Sequence, residues 1–287
     1  MDVVVPFRGA PAELGALCTR LARLRLAPGD SLLVVDNTPG HGPLGGVVPV
    51  LHAAEIETPA FARNRGAAAG GADWLVFVDA DTEPADDLVD RYFDSPPAER
   101  TALLAGGVRD QPVPDGGTAV LRYAYLRGSM SQEDTLRFGD WGYPKTANLA
   151  CRRAAFDEVG GFREEIRAAE DADLAFRAKA AGWEVERRDA AEVVHRNRQT
   201  VRGFIKQRAM HGAGGAWLNR EYPGSFPPRR RPGLVFWGLR HTVKGLATAA
   251  RKRDRDTAIW ALFEPLDFIV WEFGRSLSNE RTRRRDS

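Results

Sequence analysis

Two acidic groups in this chain have the residue types and spacing to do chemistry. Asp79 and Asp81 lie one residue apart, directly after the apolar run Trp-Leu-Val-Phe-Val at 74–78. Paired carboxylates can hold a divalent cation, and a cation so held can grip a diphosphate. Spacing alone carries little, since Asp171-x-Asp173, Glu184-x-Glu186 and Asp254-x-Asp256 repeat it. Position sets Asp79 and Asp81 apart, because open α/β sheets bind ligands beyond the carboxyl ends of their strands. The second group is Glu170-Asp171-Ala-Asp173, at the start of a helix expected over about 169–181. Acids in a first helical turn cap free N–H groups and favour the macrodipole. A carboxylate on such a rigid seat can equally serve as a general base. Asp36, in Val-Val-Asp-Asn at 34–37, is also two-sided. It reads as an Asx turn or cap, or as an acceptor for a nucleobase or ribose.

These groups must be positioned by the elements around them, and the first half of the chain alternates strand-like and helix-like segments. Residues 3–5 form an apolar run ending at the turn Pro6-Phe7-Arg8-Gly9. Residues 12–26 place Leu14, Leu17, Leu21 and Leu24 at helical spacing. Residues 32–35 and 74–78 read as further buried strands, with an Ala-rich, helix-compatible stretch over 60–73 between them. This βαβαβ pattern predicts an α/β fold with parallel strands and right-handed crossovers. No Gly-x-Gly-x-x-Gly follows the first strand, which leaves a dinucleotide site of the NAD type unsupported. Later strands are expected at 103–108, around Val185 and at Val193-Val194, and helices at 154–159, 234–252 and 257–277. Residues 118–138 give no clear pattern.

With 287 residues, 43% of them apolar and 28% charged, the chain fits one large globular domain or one domain with an appendage. Cys18 and Cys151 suggest neither a disulfide framework nor a metal site. No basic and apolar leader precedes the first strand, so no signal peptide is expected and a cytoplasmic location is. The net charge of +2 conceals a division: residues 1–195 carry −10 and residues 196–287 carry +12. That asymmetry points the carboxyl-terminal part towards an anion: phosphate, a membrane surface or nucleic acid. Pro223, Pro227, Pro228 and Pro232 around the basic run 229–231 mark a linker, and 281–285 form a basic tail. Such runs are ordinarily solvated, and no nucleic-acid partner is expected.

Seven ordered segments carry a resemblance: Val-Val-Val-Pro-Phe-Arg-Gly (3–9), Val-Val-Asp-Asn (34–37), Ala-Arg-Asn-Arg-Gly-Ala-Ala (62–68), Phe-Val-Asp-Ala-Asp (77–81), Thr-Ala-Asn-Leu-Ala-Cys-Arg-Arg (146–153), Val-Gly-Gly-Phe (159–162) and Glu-Asp-Ala-Asp-Leu-Ala-Phe-Arg (170–177). Together, over residues 1 to about 220, they resemble a family 2 glycosyltransferase of the inverting, bacterial type. The resemblance implies the GT-A fold, a Rossmann-like mixed sheet flanked by helices, here with a carboxyl-terminal helical extension. It divides the chain into a catalytic domain, 1–222, and a linker with a basic helical extension, 223–287. Within the domain, 1–110 would take the nucleotide sugar and 111–222 the acceptor. The donor would be a nucleotide diphosphate sugar, usually a UDP-sugar. Pro6, Phe7, Arg8, Asp36, Arg63 and Asp79 would lie along it, and Asp81 would be the principal ligand of Mn²⁺ or Mg²⁺, with Asp79 beside it. Asp171 matches the family's general base, with Glu170 next to it. His195 would complete the metal coordination or be structural. Trp141, Tyr143 and Asn148 would meet the acceptor, unless the rings pack in the core. Arg208 and His211, in Gln-Arg-Ala-Met-His, would approach the diphosphate. The Gln-x-x-Arg-Trp pattern of processive members is absent, which favours transfer of a single sugar.

Two other functions stay open on the residues alone. A sugar nucleotidyltransferase shares this layout but needs a Gly-rich basic loop after the first strand, for which Pro-Phe-Arg-Gly-Ala-Pro is a poor substitute. A non-catalytic nucleotide-sugar-binding subunit has no use for Asp79, Asp81 and Asp171 together. Residues 257–273 are rich in aromatic and aliphatic side chains but interrupted by Glu264, Pro265, Asp267 and Glu272. They read as a packed helix, or as an interfacial one at the inner face of a membrane, where the acceptor would be lipid-linked. Otherwise the acceptor is a soluble small molecule. A homodimer is compatible with either reading.

Overall fold

In the computed structural model, residues 1–42, 46–128, 130–227 and 233–281 are described. The basic run 229–231, Pro228, Pro232 and the tail beyond Arg281 lie outside the described residues. The described residues divide into two compact units: those within 1–109, 130–196 and 280–281 form one, and those within 110–128 and 197–279 the other.

The first unit is built on an eight-stranded mixed sheet. Its strands are β1 (Asp2–Phe7), β2 (Ser31–Asp36), β3 (Val50–His52), β4 (Trp74–Val78), β5 (Thr82–Pro84), β6 (Thr101–Asp110), β7 (Asn148–Arg152) and β8 (Glu184–His195), in the order β3-β2-β1-β4-β7-β6-β8-β5. The expected parallel core is present: β1 pairs in parallel with both β2 and β4, and β2 with β3. Every residue of β4 is buried, as its uninterrupted apolar run requires. Beyond β4 the direction reverses, with β7 entering antiparallel to both β4 and β6. The weak pattern of β7 and the shortness of β3 and β5 hid all three from the sequence.

Helices cover both faces of this sheet. Helix α1 (Pro11–Leu21) seats Leu14, Leu17 and Leu21 on one face, with Val3, Val5 and Val76. Helix α2 (Pro59–Ala68) covers the other, starting at Thr58, whose hydroxyl accepts from the N–H of Phe61. It lies close to the sheet because Gly66 stands against Val4 and Val35, where a Cβ would collide. Both helices stop earlier than 26 and 73. Helix α3 (Leu88–Tyr92), helix α4 (Ala119–Arg127) of the second unit and a single turn α5 (Glu133–Leu136) follow in the chain. Helix α6 (Arg153–Glu158) and helix α7 (Glu170–Ala180) complete the first unit.

The second unit is helical. Helix α8 (Val201–Glu221), helix α9 (Leu234–Lys252) and helix α10 (Arg255–Gly274) join α4. Its core is Val120, Tyr123, Phe204, Ile259 and Phe263. Helices α8 and α10 approach at Gly212 and Gly274, each facing backbone of the other helix. Asp267 is buried and paired with Arg127 (3.0 Å), Arg208 and the Tyr123 hydroxyl (3.0 Å). None of the described helices is long and apolar enough to cross a membrane.

Candidate active site

Because β1, β2 and β4 are parallel, Phe7, Asp36 and Val78 end on one rim of the sheet, Phe7 in register with Asp36. The turn after β4 is anchored at each backbone step. The Asp79 N–H donates to the Ala147 carbonyl (3.2 Å), and its own carbonyl accepts from the Thr82 N–H and hydroxyl. Arg20, on the last turn of α1, donates to the Ala80 carbonyl (2.8 Å), and the Arg196 N–H to the Asp81 carbonyl (2.8 Å). The carboxylates therefore project from a braced frame and not from a mobile loop.

Strand β5 starts one residue after Asp81 and pairs with the end of β8, Thr82 opposite His195. That register brings His195 Nε2 to 3.6 Å from Asp81 Oδ1, with the imidazole itself buried. Among the described residues no group of three or more His, Cys, Asp or Glu could hold a metal ion. Asp81 and His195 thus offer an incomplete oxygen–nitrogen set. An incomplete set suits Mg²⁺ or Mn²⁺ bound jointly with substrate phosphates, since Mg²⁺ commonly takes one or two carboxylates and fills its shell from phosphate and water.

The acidic clusters, far apart in sequence, meet through one guanidinium. Arg63 on α2 is 2% exposed; its Nη2 donates to Asp79 Oδ1 (2.6 Å) and its Nη1 to Glu170 Oε1 (2.7 Å). Burial disfavours its charge, but the two carboxylates outweigh that and raise its pKa. For Asp79, burial raises the pKa, Arg63 pulls it down, and the charge of Asp81 pushes it up, with a net rise.

Asp171 follows Glu170 in the first turn of α7. The preceding residue, Ala169, has φ 71°, a left-handed conformation that a non-glycine residue adopts only where its surroundings demand it. The Asp171 carboxylate accepts from the N–H of Ala172 (2.8 Å). Burial pushes it up to about 7, helped by the Glu170 charge and opposed by that N–H, Arg63 and Lys145. A carboxyl poised there can exchange a proton at neutral pH. Asp173 behaves differently, being wholly buried and paired with Arg177 (2.6 Å) and Arg163 (3.2 Å). It anchors the helix.

Other sequence candidates fall into place with different neighbours. Asp36 forms the Asx turn: Oδ1 accepts from the Thr38 N–H (3.0 Å), while Oδ2 lies 2.7 Å from His41 Nδ1. Pro6 is half-buried on β1, and Phe7 belongs to the core. Arg8 is exposed and reaches Glu57 (2.5 Å). Trp141 and Tyr143 stand edge-on to Phe176 of α7, at 5.1 and 6.1 Å between centroids. Burial, together with the charges of Asp171 and Glu170, raises the Tyr143 phenol.

Asn148 is a correction. It is wholly buried, donates to the carbonyls of Gly107 (2.9 Å) and Ala191 (2.7 Å), and accepts from the Tyr92 hydroxyl (2.7 Å). With every polar atom engaged inside the sheet, it has no face for an acceptor. Arg208 and His211 lie on α8 in the second unit, Arg208 against Asp267.

Sequence reasoning missed Lys145, Arg20 and His41. Lys145 donates to the carbonyl of Ser131 and bears electrostatically on Asp171. It is one of two lysines in residues 1–195, a usable signal in an arginine-rich chain. Arg20 and His41 had no local signal. A cleft of about 580 Å³ in the same unit is lined by Asn64, residues 159–165, Arg177 and Arg281, among others, and contains none of the acids of the rim.

Comparison with known proteins gives a consistent result. Residues 74–251 match the model of glycosyl transferase family group 2. Two curated proteins from strains of Mycobacterium tuberculosis, each named pre-mycofactocin glycosyltransferase, are 30% identical over 262 residues. The match covers 87% of this chain and 54% of each relative, so the chain spans about half their length. Among solved structures, a mannosyltransferase from Pyrobaculum calidifontis in complex with GDP-Man and Mn²⁺ superposes with a TM-score of 0.62 at 15% identity, covering 94% of this chain and 85% of that one. GalNAc-T7 with UDP, GalNAc and Mn²⁺ gives a TM-score of 0.50 at 16% identity, covering 69% and 44%. These likenesses show the GT-A fold.

Proposed function

The chain belongs to glycosyl transferase family group 2, and from that premise we propose that it moves one sugar from a nucleotide diphosphate sugar to an acceptor hydroxyl with inversion. The observation that carries the reading is the Arg63 bridge, which gathers Asp79, Glu170 and, next to it, Asp171 at the carboxyl end of β4. In this reading residues 1–222 are the catalytic domain and 223–287 its extension.

The donor lies along the rim past Pro6, Phe7, Arg8 and Asp36, with Arg63 and Asp79 towards the sugar. A UDP-sugar is favoured by the family resemblance, while one structural neighbour carries GDP-Man. Asp81 and His195, with Asp79 beside them, would hold Mn²⁺ or Mg²⁺. Such an ion offsets charge developing on the departing diphosphate. Asp171 takes the proton of the acceptor hydroxyl as its oxygen attacks the anomeric carbon from the face opposite the leaving group. Attack and departure in line invert the configuration. Its pKa near 7 suits that task, because a base works best when its pKa lies near the operating pH. Trp141 and Tyr143 border the acceptor side.

The decisive experiment is calorimetric titration with UDP, GDP and dTDP, each with Mn²⁺ and with chelator. Metal-dependent binding of one nucleotide is the expected result, and it names the donor class. Binding of none refutes the donor site. The acceptor to try first is the molecule in the name of the mycobacterial relatives, pre-mycofactocin.

A further inference from the structure

Helix α9 has three distinct sides. One packs on α10: Gly238 lies against Pro265 and Ile269, Gly245 against Ala261, and the Thr242 hydroxyl donates to the Ala261 carbonyl (3.0 Å). Trp237 meets Phe268 edge-on, and His241 pairs with Glu264 (2.8 Å). This side fixes the rotation of the helix. The second side is apolar and open to solvent: Val235 is 70% exposed, Phe236 71%, Leu239 64% and Val243 59%, with Leu246 continuing the row. Steps of three and four residues keep these side chains on one arc. The third side, next to that arc, carries the exposed cations Arg240, Lys244 and Arg251. Residues 233–253 contain five Lys or Arg and no Asp or Glu.

A contiguous exposed apolar face needs an occupant. An apolar row flanked by cations, with no acid along the whole helix, is complementary to a surface that is greasy beneath and negative above. We infer that α9 is a membrane-surface helix that docks on an anionic bilayer, sinking Phe236, Leu239 and Val243 among the acyl chains while Arg240, Lys244 and Arg251 meet the headgroups. For residues 257–273 the sequence left a packed helix or an interfacial one. In the structure α10 is the support, its Ala261, Pro265 and Phe268 turned to α9. The inference is independent of the catalytic reading, and its test does not involve turnover.

The test is co-sedimentation of the full chain with phosphatidylcholine vesicles, with and without phosphatidylglycerol. The wild type should pellet only with anionic vesicles, and salt should weaken it. A Phe236→Ser, Leu239→Ser, Val243→Ser variant should lose pelleting while keeping its thermal unfolding midpoint, because the replaced side chains are exposed. An Arg240→Gln, Lys244→Gln, Arg251→Gln variant should bind roughly a hundredfold more weakly, taking about 1 kcal/mol for each cation near an anionic surface. In a Phe236→Trp variant, bromine-labelled lipid should quench the new indole. Three results overturn the inference. The wild type could ignore anionic vesicles. The serine variant could pellet like the wild type, which would assign binding to the basic segments alone. The wild type could be a dimer that the serine variant converts to monomer, which would make a second copy the occupant.

Discussion

Replacing Arg63 by Gln tests the linkage between the two acidic clusters. The guanidinium is buried and serves two carboxylates at 2.6 and 2.7 Å. Removing one partner of a buried ion pair typically costs about 3–5 kcal/mol, because the other charge stays buried and unpaired. The two halves differ here: the Glu170 side chain is 10% exposed, and that of Asp79 29%. The Glu170 half should carry most of the cost, with the Asp79 half reduced by solvent screening. We therefore expect the lower end of that range, about 3 kcal/mol at neutral pH, or a fall in Tm of roughly 6–12 °C for a unit of this size.

The pH dependence has a definite sign. Asp79 already has a raised pKa with Arg63 present, and losing the cation raises it further. A raised acid penalises the folded state once pH exceeds the unfolded-state value, so the deficit is greatest at neutral pH and closes on acidification. The assay is urea unfolding across that range, for Arg63→Gln, Glu170→Gln and the double variant. The double variant should recover part of the stability lost in Arg63→Gln alone, since one of the two stranded carboxylates, the more buried one, is gone. A cost of Arg63→Gln below about 1 kcal/mol, or a deficit that grows in acid, refutes the argument.

Asp171→Asn should slow transfer by about 10²–10⁴-fold with nucleotide affinity kept, and in the wild type kcat/KM should rise with pH through about 7 as the carboxyl loses its proton. A profile flat across that region removes Asp171 as the base. Because its folded pKa lies above the unfolded value, the wild type loses stability as pH rises from about 4 to 7; the Asn variant should lack this loss, measured by thermal unfolding. Asp81→Ala and His195→Ala should each weaken Mn²⁺-dependent nucleotide binding at least tenfold and leave binding in chelator unchanged, read by calorimetry; equal loss in chelator would make them direct nucleotide contacts. Asn148→Ala should cost about 2–4 kcal/mol, since it strands two carbonyls and a buried phenol, yet leave the acceptor KM of the folded enzyme unaltered; a raised KM would restore Asn148 to the acceptor side.

Local pattern determined a good part of this protein. An uninterrupted apolar run can bury itself only in a covered sheet, so Trp74–Val78 announced a central strand and set Asp79 and Asp81 at its end. Alternating strand and helix segments required parallel neighbours, and β1, β2 and β4 comply. Helical spacing of Leu14, Leu17 and Leu21 identified the buried face of α1. These signals are legible because each depends on residues a few positions apart. The rest rests on contacts between distant segments, which leave no periodic trace. Only the packing of α2 on the sheet, allowed by Gly66, decided that Arg63 should bridge Asp79 and Glu170. Only the pairing of Thr82 with His195 decided that this histidine, named by the family resemblance, stands beside Asp81. Asp36 read as a turn former or a donor contact, and only the fold put the Thr38 N–H and the His41 ring on its oxygens. Asn148 was expected to meet the acceptor, and burial between strands made it a strut. For α9 the sequence indicates a helix over 234–252, but the contacts of α10 determine which side stays bare, because a helix with small and large apolar residues can present either to its neighbour.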